Sequence, residues 1–279
     1  MEFVVVANAK LTTTGLSVIG NLVAHSERAP NDRPKRDAAF GSLDSFGDGR
    51  RNHVLNEEQR VAHLLVVGAV VEALRRRPGL IDYEKAWQVQ RTIHFEVAQG
   101  TRPNTLLLLE HPSVYTAGRR TLDSEKPQDG TPVIEVDRGG KITWHGPGQL
   151  VGYPIVKLSQ PHELVGFVRE IERGLINVCE DLGIKATCVS GRSGVWVIDE
   201  KGDRKIAAIG IRVSKGVTMH GFALNVCPDL SAFNQIIPCG IADADVTSIS
   251  KELGRNISIE EVSPLVERHI FESLKKVCA

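Results

Sequence analysis

The sequence predicts an α+β domain: a mixed or antiparallel sheet with flanking helices. Three observations carry this. Residues 194–226 read as consecutive strands joined by tight turns, the pattern of antiparallel hairpins rather than of alternating strand and helix. Helical periodicity is confined to a few long stretches, at 82–99, 161–182 and 260–277. Hydrophobic residues make up 42% of the 279-residue chain, enough for a sizeable core without disulfide staples.

The elements follow in order. The chain opens MEFVVVANAK, with no basic stretch and an apolar run only at 3–7, so a secretory leader is not expected. A transit peptide is poor in acids, yet Glu2, Glu27, Asp32, Asp37, Asp44 and Asp48 are scattered here. Residues 26–56 are polar and aperiodic, and read as a weakly ordered extension. The stretch 57–77 is compatible with a helix or a strand and ends at Pro78-Gly79. The expected division is therefore a poorly ordered extension at 1–75, dispensable for the chemistry, and a folded domain at 76–279. Asp82 caps a helix to Gln99 whose inner face holds Tyr83, Ala86, Trp87, Ile93 and Val97, with Gln90 a weak point in the stripe and Gly100 the stop. Residues 105–110 form a buried strand, 132–136 a short one, and 150–158 a third in which Pro154 suggests an edge or a bulge. The 161–182 helix turns Leu164, Val168, Ile171, Leu175, Val178 and Leu182 inward, and Gly183 ends it. Strands at 194–198 and 205–213 flank the turn at 200–203, and Lys215-Gly216 leads into a strand at 217–226.

Composition excludes several classes. Lys+Arg and Asp+Glu are 34 each, without the basic excess of a nucleic-acid binder. No apolar run approaches the ~20 residues of a membrane helix. Five cysteines, an odd number with no CxxC, fit neither a disulfide framework nor a zinc knuckle, and a reduced, cytosolic compartment is expected. No phosphate-binding loop or metal-ligand spacing is present, so no metal or cofactor is expected.

Four segments carry candidate chemistry. Residues 138–149, RGGKITWHGPGQ, hold four glycines and a proline, a backbone that can approach a ligand closely and offer its N–H groups. By pattern alone His145 reads equally as an ordinary buried histidine. Lys205 enters a strand of small apolar residues, KIAAIG, where it is either a solvated surface residue or a partly desolvated amine. His220 begins HGFALN, a strand in which a histidine is more often core than catalytic. Cys239 sits in Pro-Cys-Gly, outside any periodic pattern, either as an accessible nucleophile or as an inert thiol.

Together and in this order, DYEKAW at 82–87, LEHPSVYTAG at 109–118, RGGKITWHGPGQLVGYPI at 138–155, GRSGVWV, KIAAIGIRV, HGFALNV and PCGI resemble the lipoyl(octanoyl) transferase family, over roughly 80–278. Trp144 stands where that family often has Tyr or His. The resemblance implies the α+β fold of biotin and lipoate protein ligase catalytic domains, with 76–279 as the octanoyltransferase catalytic domain. It implies Cys239 as the acyl-thioester nucleophile and Lys205 as the residue that lowers its pKa. Substrate contacts fall on Arg138, Gly139, Gly140, Lys141, Ile142, Thr143, Trp144 and His145, on Ala208, Ile209 and Gly210, and on Gly221, Phe222 and Ala223. An octanoyl slot lined by Ile142, Ile209 and Phe222 is expected. The implied donor is octanoyl-acyl carrier protein. The implied acceptors are lipoyl domains of 2-oxoacid dehydrogenases and the glycine cleavage H protein, with no nucleic acid and no membrane. Two alternatives differ in chemistry: an ATP-dependent lipoate or biotin ligase, which would not need Cys239, and a catalytically silent acyl- or lipoyl-domain-binding protein.

Overall fold

Asp82 starts the first helix by accepting the Lys85 N–H at 3.0 Å. The helix, α1, runs Tyr83–Gln99 and stops at Gly100, which takes the left-handed conformation at φ 73°. The computed structural model describes residues 3–7, 79–160, 163–236 and 244–279. Beyond α1 these form strands β1 (Phe3–Ala7), β2 (Asn104–Leu109), β3 (Val114–Ala117), β4 (Val133–Glu135), β5 (Thr143–His145), β6 (Gln149–Ile155), β7 (Thr187–Val189), β8 (Arg192–Asp199), β9 (Gly202–Ser214), β10 (Val217–Asn225) and β11 (Asp245–Val246). The remaining α-helices are α2 (Leu164–Asp181), α3 (Ile249–Leu253) and α4 (Ile259–Leu274).

The main sheet has the order β1-β2-β6-β10-β9-β8-β7, with β11 beside β9. It is antiparallel except where β1 runs parallel to β2 and β11 parallel to β9. The expected hairpin is present, with Asp199 opposite Gly202, and Lys215-Gly216 turns the chain at φ 51° and 72° between Ser214 and Val217. A small second sheet, β4-β3-β5, carries the glycine-rich segment.

Helices cover both faces of the main sheet. Alternation along β2 shows how: Leu107 and Leu109 pack with Val89, Ile93 and Val97 of α1, whereas Leu106 and Leu108 pack with Phe167 and Ile171 of α2 and Val266 and Ile270 of α4. Burial on both faces explains why β2 reads as a continuous apolar run. No helix among the described residues is long and apolar enough to cross a membrane.

Three features depart from the sequence pattern. Phe3–Ala7 joins the sheet from within the stretch expected to be weakly ordered, its register running from Phe3 opposite Asn104 to Ala7 opposite Leu108. Three consecutive valines favour strand, and the outer edge of β2 offers unpaired backbone groups. The rest of that extension, residues 1–2 and 8–75, lies outside the described residues, as do 76–78. Pro154 is not on an edge strand, because β6 has β2 and β10 on its two sides. It is tolerated because the β6–β10 ladder ends at Gly152 opposite Phe222, so its missing N–H breaks no rung there. In α2 only the first turn departs: Phe167 is fully buried, Val168 half-buried and Leu164 42% exposed, because the helix only begins at Leu164, while Ile171, Leu175 and Val178 are fully buried as expected. Phe167→Ala is expected to cost about 3–5 kcal/mol. Leu164→Ala should stay within about 0.5 kcal/mol of wild type, both read by urea unfolding.

Candidate active site

The glycine-rich segment is anchored by its own arginine. Arg138 is 6% exposed. Its Nη1 donates to Lys141 O at 2.8 Å, and its Nη2 to Thr116 O and Oγ1 at 2.8 and 2.9 Å. These bonds hold the loop shape, so Arg138 works first on the protein's backbone. Gly139 N–H donates to Ile211 O at 2.9 Å and ties the segment to β9.

A group of neutral rings sits beside it. His111 Nδ1–H donates to Ile81 O at 2.5 Å, and His111 Nε2 accepts the Tyr153 hydroxyl at 2.7 Å. Tyr83 stacks on His145 with ring centroids 5.8 Å apart. His145 Nδ1–H donates to Gln149 Oε1 at 2.8 Å, and Gln149 Nε2 donates to Asn225 Oδ1 at 2.9 Å. Those bonds leave His145 Nε2 as the nitrogen with the free lone pair. Burial pushes His111 down to about 4. Burial, then repulsion from His111, pushes His145 down to about 3. The unfolded chain binds a proton at each near pH 6.5. It therefore binds more protons than the folded chain below that pH, and stability rises with pH across the window. The contribution is complete above about pH 6.5 and is lost as the pH falls towards the folded values. The melting temperature should hold steady down to about pH 6.5 and fall below it, and His145→Gln should remove part of the slope. A melting temperature unchanged at about pH 5 would contradict the neutral pair.

His220 lies on β10 at φ 59°. Its N–H leaves the ladder and donates to Gln90 Oε1 at 2.9 Å. The polar residue interrupting the stripe of α1 is thus a fully buried partner of β10. His220 Nε2–H donates to Asp137 at 2.7 Å. Burial, with Arg138, Arg212 and Arg91 nearby, pushes this imidazole down to about 3.

Lys205 is 6% exposed on β9, opposite Trp196 on β8, with its Nζ 4.6 Å from the Trp196 ring centroid. Gly194, at φ 117°, makes the close approach possible: a Cβ there would lie 2.4 Å from Ala207 O and 3.4 Å from Lys205 Cε. Its N–H donates at 2.9 Å to Glu172, a buried carboxylate of α2 that also pairs with Arg169.

These groups converge on a cavity of about 250 Å³. Of the residues expected to contact substrate, it brings together Arg138, Gly140, Lys141, Thr143 and His145, then Ala208, Ile209 and Gly210, then Gly221, Phe222 and Ala223, with Lys205 among them. Gly139, Ile142 and Trp144 do not line it. Ile142 and Trp144 pack instead with Tyr115, Phe233 and Ile236. Alternation along the segment sends them to the far side of the small sheet, so Ile142 is not a wall of an acyl slot. Val151, Ile209 and Phe222 supply apolar lining. Cys239 lies outside the described residues. Where the described chain resumes, β11 sets Val246 opposite Lys205, and Thr247 N–H donates to Lys205 O at 2.9 Å.

A family model described as the lipoyl protein ligase A/B catalytic domain matches residues 82–271. The chain belongs to this family. The octanoyltransferase of Acidothermus cellulolyticus is 61% identical over 197 residues, spanning 70% of this chain and 89% of that relative. The octanoyltransferase of Mycolicibacterium smegmatis is 59% identical over 202 residues, spanning 71% and 88%. Among solved structures, a bipartite lipoate protein ligase from Thermoplasma acidophilum superposes with a TM-score of 0.53 at 17% identity, over 67% of this chain and 79% of that one. Lipoate-protein ligase A bound with ATP superposes at 0.51 and 16% identity, over 67% and 81%. These two share the fold of this lipoyl ligase-family domain.

Several residues of the cavity go beyond the sequence expectation. Tyr83, Tyr153, Arg120, Arg192, Ser193 and His220 line the cavity. The Gly-Arg-Ser-Gly segment was a signal for two of them. Tyr83 and Tyr153 had none, since each reads as an ordinary apolar position of a helix or strand. Among the described cysteines, burial pushes Cys179 and Cys278 up to about 12 and raises Cys227. Those thiols are poor nucleophiles at neutral pH.

Proposed function

We propose that this chain transfers an octanoyl group from octanoyl-acyl carrier protein to a lysine of lipoyl domains through a thioester on Cys239. The observation that carries the reading is Lys205, a buried lysine beside a cavity walled by the family's substrate segments, with no aspartate or glutamate lining that cavity among the described residues. A cation so placed favours the thiolate form of a thiol brought beside it.

The chemistry has two steps. The Cys239 thiolate attacks the thioester carbonyl, its C–S bond forms, and the carrier leaves as a thiolate that takes a proton. The acceptor lysine, as a free amine, then attacks the Cys239 thioester. An amide forms, the amine gives up a proton, and Cys239 leaves as the thiolate. Neither step consumes ATP. In this reading, backbone N–H groups around the glycine-rich segment or Cys239 stabilise the oxyanion. The acceptors are the lipoyl domains of 2-oxoacid dehydrogenases and the glycine cleavage H protein, and the setting is the cytosol.

The ligase alternative is disfavoured because identities of 59–61% are to octanoyltransferases, whereas the lipoate ligases are similar at 16–17%. Intact-protein mass after mixing with octanoyl-acyl carrier protein tests the proposal. An octanoyl adduct mapping to Cys239 is expected without ATP or magnesium. Acylation only with free octanoate, ATP and magnesium would move the assignment to a ligase. No adduct under either condition would leave a silent binder.

A further inference from the structure

Lys205 has no described carboxylate to balance it. Four other cations line the same cavity, Arg120, Arg138, Lys141 and Arg192. Lys141 pairs away with Glu125 and Arg192 with Asp203. Behind Gly194, Glu172 is committed to Arg169 and the Gly194 N–H. On the opposite face of β9, Asp199 and Glu252 bind Arg204. The cavity histidines, His145 and His220, are held neutral by burial. Burial likewise raises Tyr83 and Tyr153, so both phenols stay uncharged. The contact that does favour charge on Lys205 is the face of Trp196, at 4.6 Å.

That face is fixed in place. Trp196 is 1% exposed, and its Nε1–H donates to Arg192 O at 3.3 Å. Residues opposite each other on neighbouring strands project to the same side, so the Trp196–Lys205 register brings ring and ammonium together. Gly194 leaves the lysine stem a clear path along β8.

We propose that Trp196 is a positioning residue for Lys205: its ring holds the side chain as an ammonium at the wall of the acyl cavity, making it a fixed positive charge rather than a proton acceptor. This rests on the transfer reading for its purpose, but not for the contact itself. The decisive experiment places 5-fluoro-, 5,7-difluoro- and 5,6,7-trifluorotryptophan at position 196 in the full chain. Fluorine drains the ring face while nearly preserving its shape, so a packing role alone predicts a flat series. Two readouts are followed at neutral pH: reductive methylation of Lys205, by peptide mass, and alkylation of Cys239. Methylation should rise stepwise, reaching about ten- to thirtyfold at the last member, and alkylation should fall in the same order. Trp196→Phe should retain part of the effect and Trp196→Leu little. A flat methylation series would overturn the proposal. A rising methylation series with unchanged Cys239 alkylation would overturn the catalytic purpose. A rising series in a protein that forms no octanoyl adduct would overturn the transfer reading while supporting the hold of Trp196 on Lys205.

Discussion

Cys239→Ala is expected to form no octanoyl adduct and to lose acyl transfer by at least about a thousandfold, the scale on which removal of a covalent nucleophile acts. The other thiols offer no substitute. Cys179 and Cys278 sit in the core with their thiols pushed up to about 12. Cys227 is raised by burial and then by Glu110 and Glu260, so its environment is electronegative where a nucleophile needs the reverse. Cys188 is exposed on β7, a strand that contributes no residue to the cavity lining. Cys239→Ser should be nearly as poor, because a hydroxyl needs strong base assistance to match a thiolate, and the histidines lining the cavity are held neutral with low proton affinity. Intact mass with octanoyl-acyl carrier protein and a transfer assay with a lipoyl domain check both variants. An adduct persisting in Cys239→Ala would sink the assignment, and peptide mapping would name the residue that replaces it.

What could be read from the sequence follows from what each signal depends on. The hairpin at 199–202 and the Lys215-Gly216 turn were legible because local backbone preference decides them. The α1 boundaries were legible for the same reason, since Asp82 and Gly100 act within one turn of the helix ends. The first turn of α2 was not, because Leu164 and Phe167 are both apolar, and packing against α4 and the sheet chooses between them. Gln90 looked like a defect until the backbone of His220 supplied its partner from 130 residues away. In the site, the segments that line the cavity were singled out through the family resemblance, but placing Ile142 among its walls ignored alternation. In the short β5 region, neighbouring residues take opposite sides, and His145 and Thr143 face the cavity while Trp144 does not. Trp196 carried no signal as a lysine partner, because cross-strand register is a property of the folded hairpin.

Lys205→Ala should leave a folded protein whose Cys239 alkylation profile shifts towards the free-thiol pKa of about 8.5. The sign follows from charge: removing an ammonium removes a favourable interaction with the thiolate and none with the thiol, so the thiolate becomes harder to form. At neutral pH the thiolate fraction, and with it the alkylation rate, should fall by about tenfold or more. Folding should survive because deleting this side chain leaves no described carboxylate unpaired, so no orphaned charge is left in the core. Lys205→Arg separates the two roles open to the lysine. An arginine keeps the charge, stacks on an aromatic face as an ammonium does, and cannot give up its proton. If the ring of Trp196 holds Lys205 as a fixed charge, Lys205→Arg retains a near wild-type alkylation profile and most of the acyl-enzyme formation. If Lys205 accepts the proton of the attacking amine, the same variant forms the acyl-enzyme but fails to pass the group on. The fixed-charge outcome is the one expected here, because the Trp196 face attracts the ammonium of Lys205 and not its neutral amine, so that contact is lost when the lysine deprotonates. A Cys239 profile unchanged in Lys205→Ala would show that the two residues do not communicate, and the nucleophile would then need another source of activation.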